Sequence, residues 1–207
     1  CLVGSEMCIR DSLIIIILIS SCNQNPIDKW QNYDESDEIK TNSKLENKRL
    51  QFKRIQSISN DKNKLINGFE KEISDFINSE YDLVKSLVYE KSIPEIQQNI
   101  INGKLTYYKL SLFYLSRIYL IEFDQERYLN SIISINKNIL KEAKRKDKVK
   151  NTNIYSLHGI PILLKDNIGF EGLPTTAGAH SLKNNFTGDA SIVKQLRENG
   201  ALILGKT

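Results

Sequence analysis

Cysteine, histidine and tryptophan are scarce in this 207-residue chain, which holds three, two and one of them. Two of the three cysteines, Cys1 and Cys8, fall in residues 1–12, "CLVGSEMCIRDS". That stretch does not begin with Met, carries acidic residues ahead of an apolar run, and resembles a translated sequencing-library scar, so it is set aside. Cys22 is left, and one cysteine closes no internal disulfide. His158 and His180 stand far apart in sequence, and no Cys/His cluster has metal-ligand spacing, so no metal is expected. No organic cofactor is implied either. Acidic residues fall only slightly short of basic ones, the net charge being +4. The stretch Lys141–Lys150, "KEAKRKDKVK", carries six Lys/Arg against two Asp/Glu and so holds the whole excess. It contains no aromatic residue, which argues against nucleic acid and for a solvated helix end.

Long apolar runs are missing too. Leu13–Ile19, "LIIIILI", has seven residues, about a third of what crosses a bilayer as a helix. It fits instead the apolar region of an export signal, residues 13–22, with Ser20 and Ser21 as small residues before a cleavage point. Ile19-Ser20-Ser21-Cys22 resembles a bacterial lipobox. Lipid-modified Cys22 would then anchor an exported protein to a membrane of the bacterial cell envelope, each buried methylene contributing about 0.8 kcal/mol. Residues 23–60 are rich in Asn, Asp, Glu, Lys and Ser without a sustained period, and read as a flexible tether.

Residues 61–207 carry the patterns of a folded α/β unit. Leu65, Ile66, Phe69, Ile73, Phe76 and Ile77 recur at threes and fours, and a second helix is expected over Tyr81–Tyr89. Ser92-Ile-Pro-Glu95 has capping-box form, Asn102-Gly103 closes the helix it opens, and Thr106 caps the next, which is apolar over much of its circumference. "LNSIISIN" alternates well enough for a short strand through Leu129, Ile132 or Ile133, and Ile135. "HGIPILLKDNI" reads as a buried strand, "DASIVKQLRENG" as a helix capped by Asp189 and stopped by Gly200, and "ALILGK" as a further strand. Strand, helix, strand in that order is a βαβ unit.

The final eight residues, "GALILGKT", match the G-x-x-x-x-G-K-T pattern of a phosphate-binding loop. Such a loop follows a strand and opens a helix; here a helix precedes Gly200, and Ala201–Leu204 would leave a strand to line a solvated nest. No nucleotide is expected.

Lys165 is the residue of chemical interest. An ammonium directly after a buried apolar strand stands where open α/β sheets form their ligand crevice, outside the strands' carboxyl ends. Partial desolvation there favours the neutral amine, which accepts a proton. Solvent pairing of Lys165 with Asp166 is the plainer alternative.

"HGIPILLKDNI", "GLPTTAGAHSL" and "DASIVKQLRENGALILGKT", in this order and spacing, resemble the opening of the amidase signature family. "GKLTYYKLSLFYLSRI" and "LNSIISIN" resemble its N-terminal helix and short strand. The resemblance runs from about Ser92 to Thr207, and weakly from Leu65. It implies the amidase signature fold, here truncated, with N-terminal helices packed on part of a mixed β-sheet. It also implies a serine hydrolase of C–N amide bonds using a Ser-cis-Ser-Lys triad, with Lys165 at the position of the catalytic lysine. The substrate is then a small-molecule or peptide amide. Both serines would lie past Thr207, so the fragment is expected to be inactive alone. For Asp166 and Asn167, orienting Lys165 and bonding nearby backbone both stay open, while Thr175–Gly178 is expected to shape backbone, with Gly178 supplying an unusual dihedral. Ser181, Ser191, His158 and His180 match no catalytic position, and Lys206 reads as a sheet-end cation. Two alternatives are a glutamyl-tRNA amidotransferase A subunit, against which the export signal argues, and a non-catalytic surface binding module.

Overall fold

The computed structural model describes residues 27–51 and 61–207. The segments set aside or read as export signal, and Cys22, lie outside these residues. α1 spans Ser36–Asn42, α2 Asn63–Ile66, α3 Glu70–Ser79, α4 Tyr81–Val88, α5 Ile93–Ile101 and α6 Tyr107–Glu122. They are followed by β1 (Ser134–Ile135), α7 (Ile139–Lys146), β2 (Pro161–Leu164), α8 (Ser191–Glu198) and β3 (Leu202–Lys206).

The three strands form one mixed sheet in the order β1-β3-β2, with β2 parallel and β1 antiparallel to β3. β3, fully buried, divides its side chains between two cores. Leu202 and Leu204 join the helical core with Ile135, Leu110, Phe113 and Ile139. Ile203 joins Leu164, Phe170, Leu173 and Val193 under α8. The N-terminal helices thus cover one face of the sheet, as the sequence leads one to expect, and α8 covers the other. α6 lies central, with residues as far apart around its circumference as Leu110, Ser111, Leu112 and Phe113 all buried.

Helix punctuation follows local chemistry. Ser92 and Glu95 form the capping box, the Ser92 N–H donating to Glu95 Oε2 at 2.8 Å, and Thr106 Oγ1 accepts from the Lys109 N–H at 3.1 Å. The apolar stripe from Leu65 is broken into α2 and α3 rather than one helix, because Gly68 turns the chain at φ +88°. β1 is shorter than its alternating pattern: Leu129 is 69% exposed, and only Ser134 and Ile135 pair with β3.

Part of the stretch read as a tether is fastened to the fold. The Trp30 N–H donates to Asn63 Oδ1 at 2.9 Å, Asn63 Nδ2 donates back to Trp30 O at 3.0 Å, and the Asp28 N–H donates to the Tyr119 hydroxyl at 3.0 Å. Ile27 and Trp30 pack on the helical core, so scattered apolar residues in a polar segment suffice to dock it. Beside them Lys62 and Glu122, both almost fully buried, pair at 3.1 Å, with the Lys62 ammonium over the Trp30 and Tyr128 rings.

Candidate active site

β2 and β3 run parallel and end side by side, which places Lys165 and Lys206 at the carboxyl edge of the βαβ unit. The backbone around Lys165 is held from both sides. The Thr207 N–H donates to Leu164 O at 2.9 Å, the Asp166 N–H donates to Thr207 O at 2.8 Å, and the Ile168 N–H closes a turn onto Lys165 O at 2.9 Å. The Lys165 side chain itself is exposed, so the partial desolvation expected of it is not supplied by the described residues.

The buried amine is Lys206, whose accessibility is 0%. A register shift explains its direction. Ile162 pairs with Ile203, but Leu163 pairs with Gly205, leaving Leu204 as an extra residue in β3. Such a bulge reverses the side-chain alternation beyond it. Lys206 therefore opposes Leu164 and turns into the loop after β2, donating to Pro174 O and Thr175 Oγ1, each at 2.9 Å. Gly205 permits the bulge, since a Cβ there would stand 2.3 Å from Ser134 O of β1. Burial pulls the Lys206 ammonium below its ordinary titration range, with Asp166 opposing.

Asp166 resolves the two roles left open for it. Its Oδ2 accepts from the Thr176 and Gly178 N–H groups, each at 3.2 Å, and from the Thr176 hydroxyl. It shapes the loop after β2 and does not bind Lys165. Its buried Oδ1 has no hydrogen-bond partner and stands 3.9 Å from Lys206 Nζ. Gly178 has the expected left-handed backbone at φ +76°, and Ala177 before it does too, at φ +50°. Two successive residues of this kind turn the Gly178 N–H inward to the carboxylate.

The remaining sequence candidates are placed apart from this edge. His158 lies before β2 with its ring edge-on to Tyr107 at 5.3 Å and Nε2 3.4 Å from Lys146 O; burial lowers its titration range. His180 and Ser181 lie in an exposed 3₁₀ turn, and Ser191 opens α8. Asp189 does not cap α8. That position is Ala190, while Asp189 accepts from the Glu171 N–H at 2.9 Å and pairs with Arg197. Burial would raise the Asp189 carboxyl, but these two partners outweigh it and hold it below the ordinary range. Gly200, at φ +84°, ends α8, and Ala201–Leu204 are buried in and beside β3. The backbone of the phosphate-loop pattern is thus spent on sheet pairing, which rules out a phosphate nest there. No cluster of His, Cys, Asp or Glu suited to a metal ion occurs among the described residues.

A parallel βαβ unit with a lysine at each strand end, under a helical layer, defines an α/β unit whose carboxyl edge carries its ionisable groups. The family model described as Amidase matches residues 112–207, from the middle of α6 through β3. The glutamyl-tRNA(Gln) amidotransferase A subunit of Thermoanaerobacter pseudethanolicus is 32% identical over 123 residues, covering 58% of this chain and 24% of that protein. A probable amidase of Arabidopsis thaliana is 37% identical over 125 residues, covering 58% and 24%. The solved structure of the native peptide amidase of Stenotrophomonas maltophilia superposes with a TM-score of 0.53 at 36% identity, covering 57% of this chain and 25% of that one. The chain spans about a quarter of the length of these proteins.

Proposed function

We propose that this chain carries the lysine-bearing part of an exported, lipid-anchored amidase that hydrolyses a linear or peptide amide. The observation that carries the reading is Lys165, held by backbone on both sides at the carboxyl edge of a βαβ unit inside the family match. In the proposed reaction the neutral Lys165 amine takes a proton through a relay serine from the nucleophilic serine. The nucleophile adds to the amide carbonyl, the C–N bond breaks as the proton passes to the leaving nitrogen, and water then cleaves the acyl-enzyme. Both serines are supplied by chain past Thr207, and their packing over the exposed Lys165 provides the desolvation that the described residues do not. An amine suits the role because its donors rotate and its proton is readily lost when buried. Cys22 carries the lipid, which places the reaction at the cell envelope.

The test uses the full-length protein that contains this sequence, assayed for ammonia release from a C-terminally amidated peptide. Lys165→Ala is expected to lower kcat by about a thousandfold or more. Retained turnover in that variant overturns the reading. Similarity to the amidotransferase protein supports a second one, and activity that appears only with partner subunits and charged tRNA would select it. Intact-mass analysis of the exported protein tests the lipid on Cys22.

A further inference from the structure

The basic run that composition assigns to a solvated helix end is organised in the structure. Lys141, Lys144 and Arg145 follow one another at threes and fours on one side of α7, with Lys137 just before the helix and Lys148 just after it. They line a cleft of about 480 Å³ whose other wall holds Phe69 and Tyr108. The two acids of the run are engaged elsewhere. Glu142 Oε2 accepts from Asn136 Nδ2 at 3.2 Å, and Asp147 accepts from the Tyr107 and Tyr108 N–H groups at the start of α6, at 2.7 and 3.2 Å. Glu72 is the one carboxylate among the lining residues.

Fold stability accounts for only part of this charge. Lys137 is committed, donating to the carbonyls of Lys64, Leu65 and Asn67 around the end of α2. The C-terminal dipole of α7 is worth about half an elementary charge. Lys141, Lys144, Arg145 and Lys148 exceed it severalfold. The aromatic wall offers no stacking platform: Phe69 is 4% exposed, and the Lys144 ammonium covers the Tyr108 ring at 4.6 Å. That disfavours single-stranded nucleic acid, whose bases need open rings.

The docked N-terminal segment indicates what lies opposite. Trp30 is fastened to Asn63, the first residue of α2, and the carbonyls at the other end of α2 accept from Lys137. The chain therefore enters the fold one short helix away from the basic face. Cys22 lies eight residues before Trp30, a span of at most about 29 Å. A lipid on Cys22 would hold this side of the molecule next to the membrane instead of at the end of a long tether.

We propose that the basic face formed by Lys141, Lys144 and Arg145 of α7 and by Lys148 just after it seats on an anionic phospholipid surface. The inference rests on the lipid-anchored reading: the anchor sets the distance, and the basic face sets the orientation. Each such residue near an anionic surface contributes about a fivefold gain in partitioning.

The test is co-sedimentation of the chain with phosphatidylcholine vesicles and with vesicles containing about a third phosphatidylglycerol. Binding that does not depend on charge contributes equally on both, so the quantity read is the excess on the anionic vesicles. That excess is expected to fall steeply between about 0.05 and about 0.5 M salt. It is expected to drop about a hundredfold in the triple variant Lys141→Gln/Lys144→Gln/Lys148→Gln, with thermal unfolding unchanged. Equal binding to both vesicle types, an undiminished excess in the triple variant, or tighter binding to a single-stranded oligonucleotide than to anionic vesicles overturns the proposal. Hydrolysis of a soluble amide by the full-length triple variant is expected to match wild type, so a failure here is separable from a failure of the amidase reading.

Discussion

Lys206 and Asp166 are buried together at the carboxyl ends of adjacent parallel strands, Nζ 3.9 Å from Oδ1, while Lys165, the residue before Asp166, is exposed. Two lysines at equivalent strand ends thus have opposite physical situations. The bulge at Leu204 turns Lys206 inward, where it holds the loop from Pro174 to Thr175, and the same carboxylate that faces it holds Thr176 and Gly178.

Lys206→Met is expected to cost about 3 kcal/mol in urea unfolding, because it leaves the Asp166 carboxylate buried without its cation. The sign of the pH dependence follows from burial. With the folded titration point of Lys206 below the ordinary 10.5, the unfolded chain binds more protons between the two values, so this group's contribution to stability rises with pH through that window. The deficit of Lys206→Met relative to wild type should therefore widen as pH rises toward 10.5. A constant deficit would show that the ammonium is not the buried species.

Lys165→Ala is expected to change stability by no more than about 0.5 kcal/mol, as for other exposed positions. A thermal unfolding comparison of the two lysine variants checks the division directly: one residue supports the loop, the other is free for chemistry. Large destabilisation by Lys165→Ala would instead place it in the structural framework.

Gly205→Ala is expected to destabilise by about 1–3 kcal/mol, since the added methyl meets a backbone oxygen of β1, which cannot rotate away as a side chain would. The loss should concentrate in β1, and amide exchange at Ile133 and Asn136, whose N–H groups donate to Lys206 O and Leu204 O, is the sensitive readout. Unchanged protection at both positions would contradict it.

What was legible beforehand divides along local and non-local lines. The Ser92/Glu95 box and the Thr106 cap are written within one helical turn, and the structure contains them. The βαβ unit was legible because its strands are continuous apolar runs, and the phosphate-loop pattern could be dismissed because the order of its elements was wrong. The pairing of Ser134 and Ile135 within that run was not legible, since their partners Lys206 and Gly205 lie far along the chain. Nor was the inward turn of Lys206, which needs the register of β2 against β3 and has no signature beyond a glycine one residue earlier. The docking of Trp30 escaped composition because a single aromatic finding Asn63 and Lys62 leaves an average polarity unchanged.

That docking supplies the last prediction. Glu122 accepts from the Asn130 N–H and from the Ser131 N–H and hydroxyl, as well as from Lys62, whose ammonium lies 4.3 Å from the Trp30 ring centroid. Burial would raise the Glu122 carboxyl, but its Ser131 and Lys62 partners outweigh burial and hold it below the ordinary 4.5. The stability that ionised Glu122 contributes is therefore fully present above 4.5 and is lost as pH falls through the lower folded value. Trp30 is the only tryptophan in the chain, so its fluorescence reports this junction without labelling. Emission should shift to the red as acid titrates Glu122, earlier than the loss of helical circular dichroism. Glu122→Gln should cost about 3 kcal/mol and start from the shifted emission at neutral pH, because Lys62 then lies buried without its counter-charge. If Trp30 emission instead followed global unfolding in both proteins, the N-terminal segment would be an inseparable part of the core and not a junction closed by one ion pair.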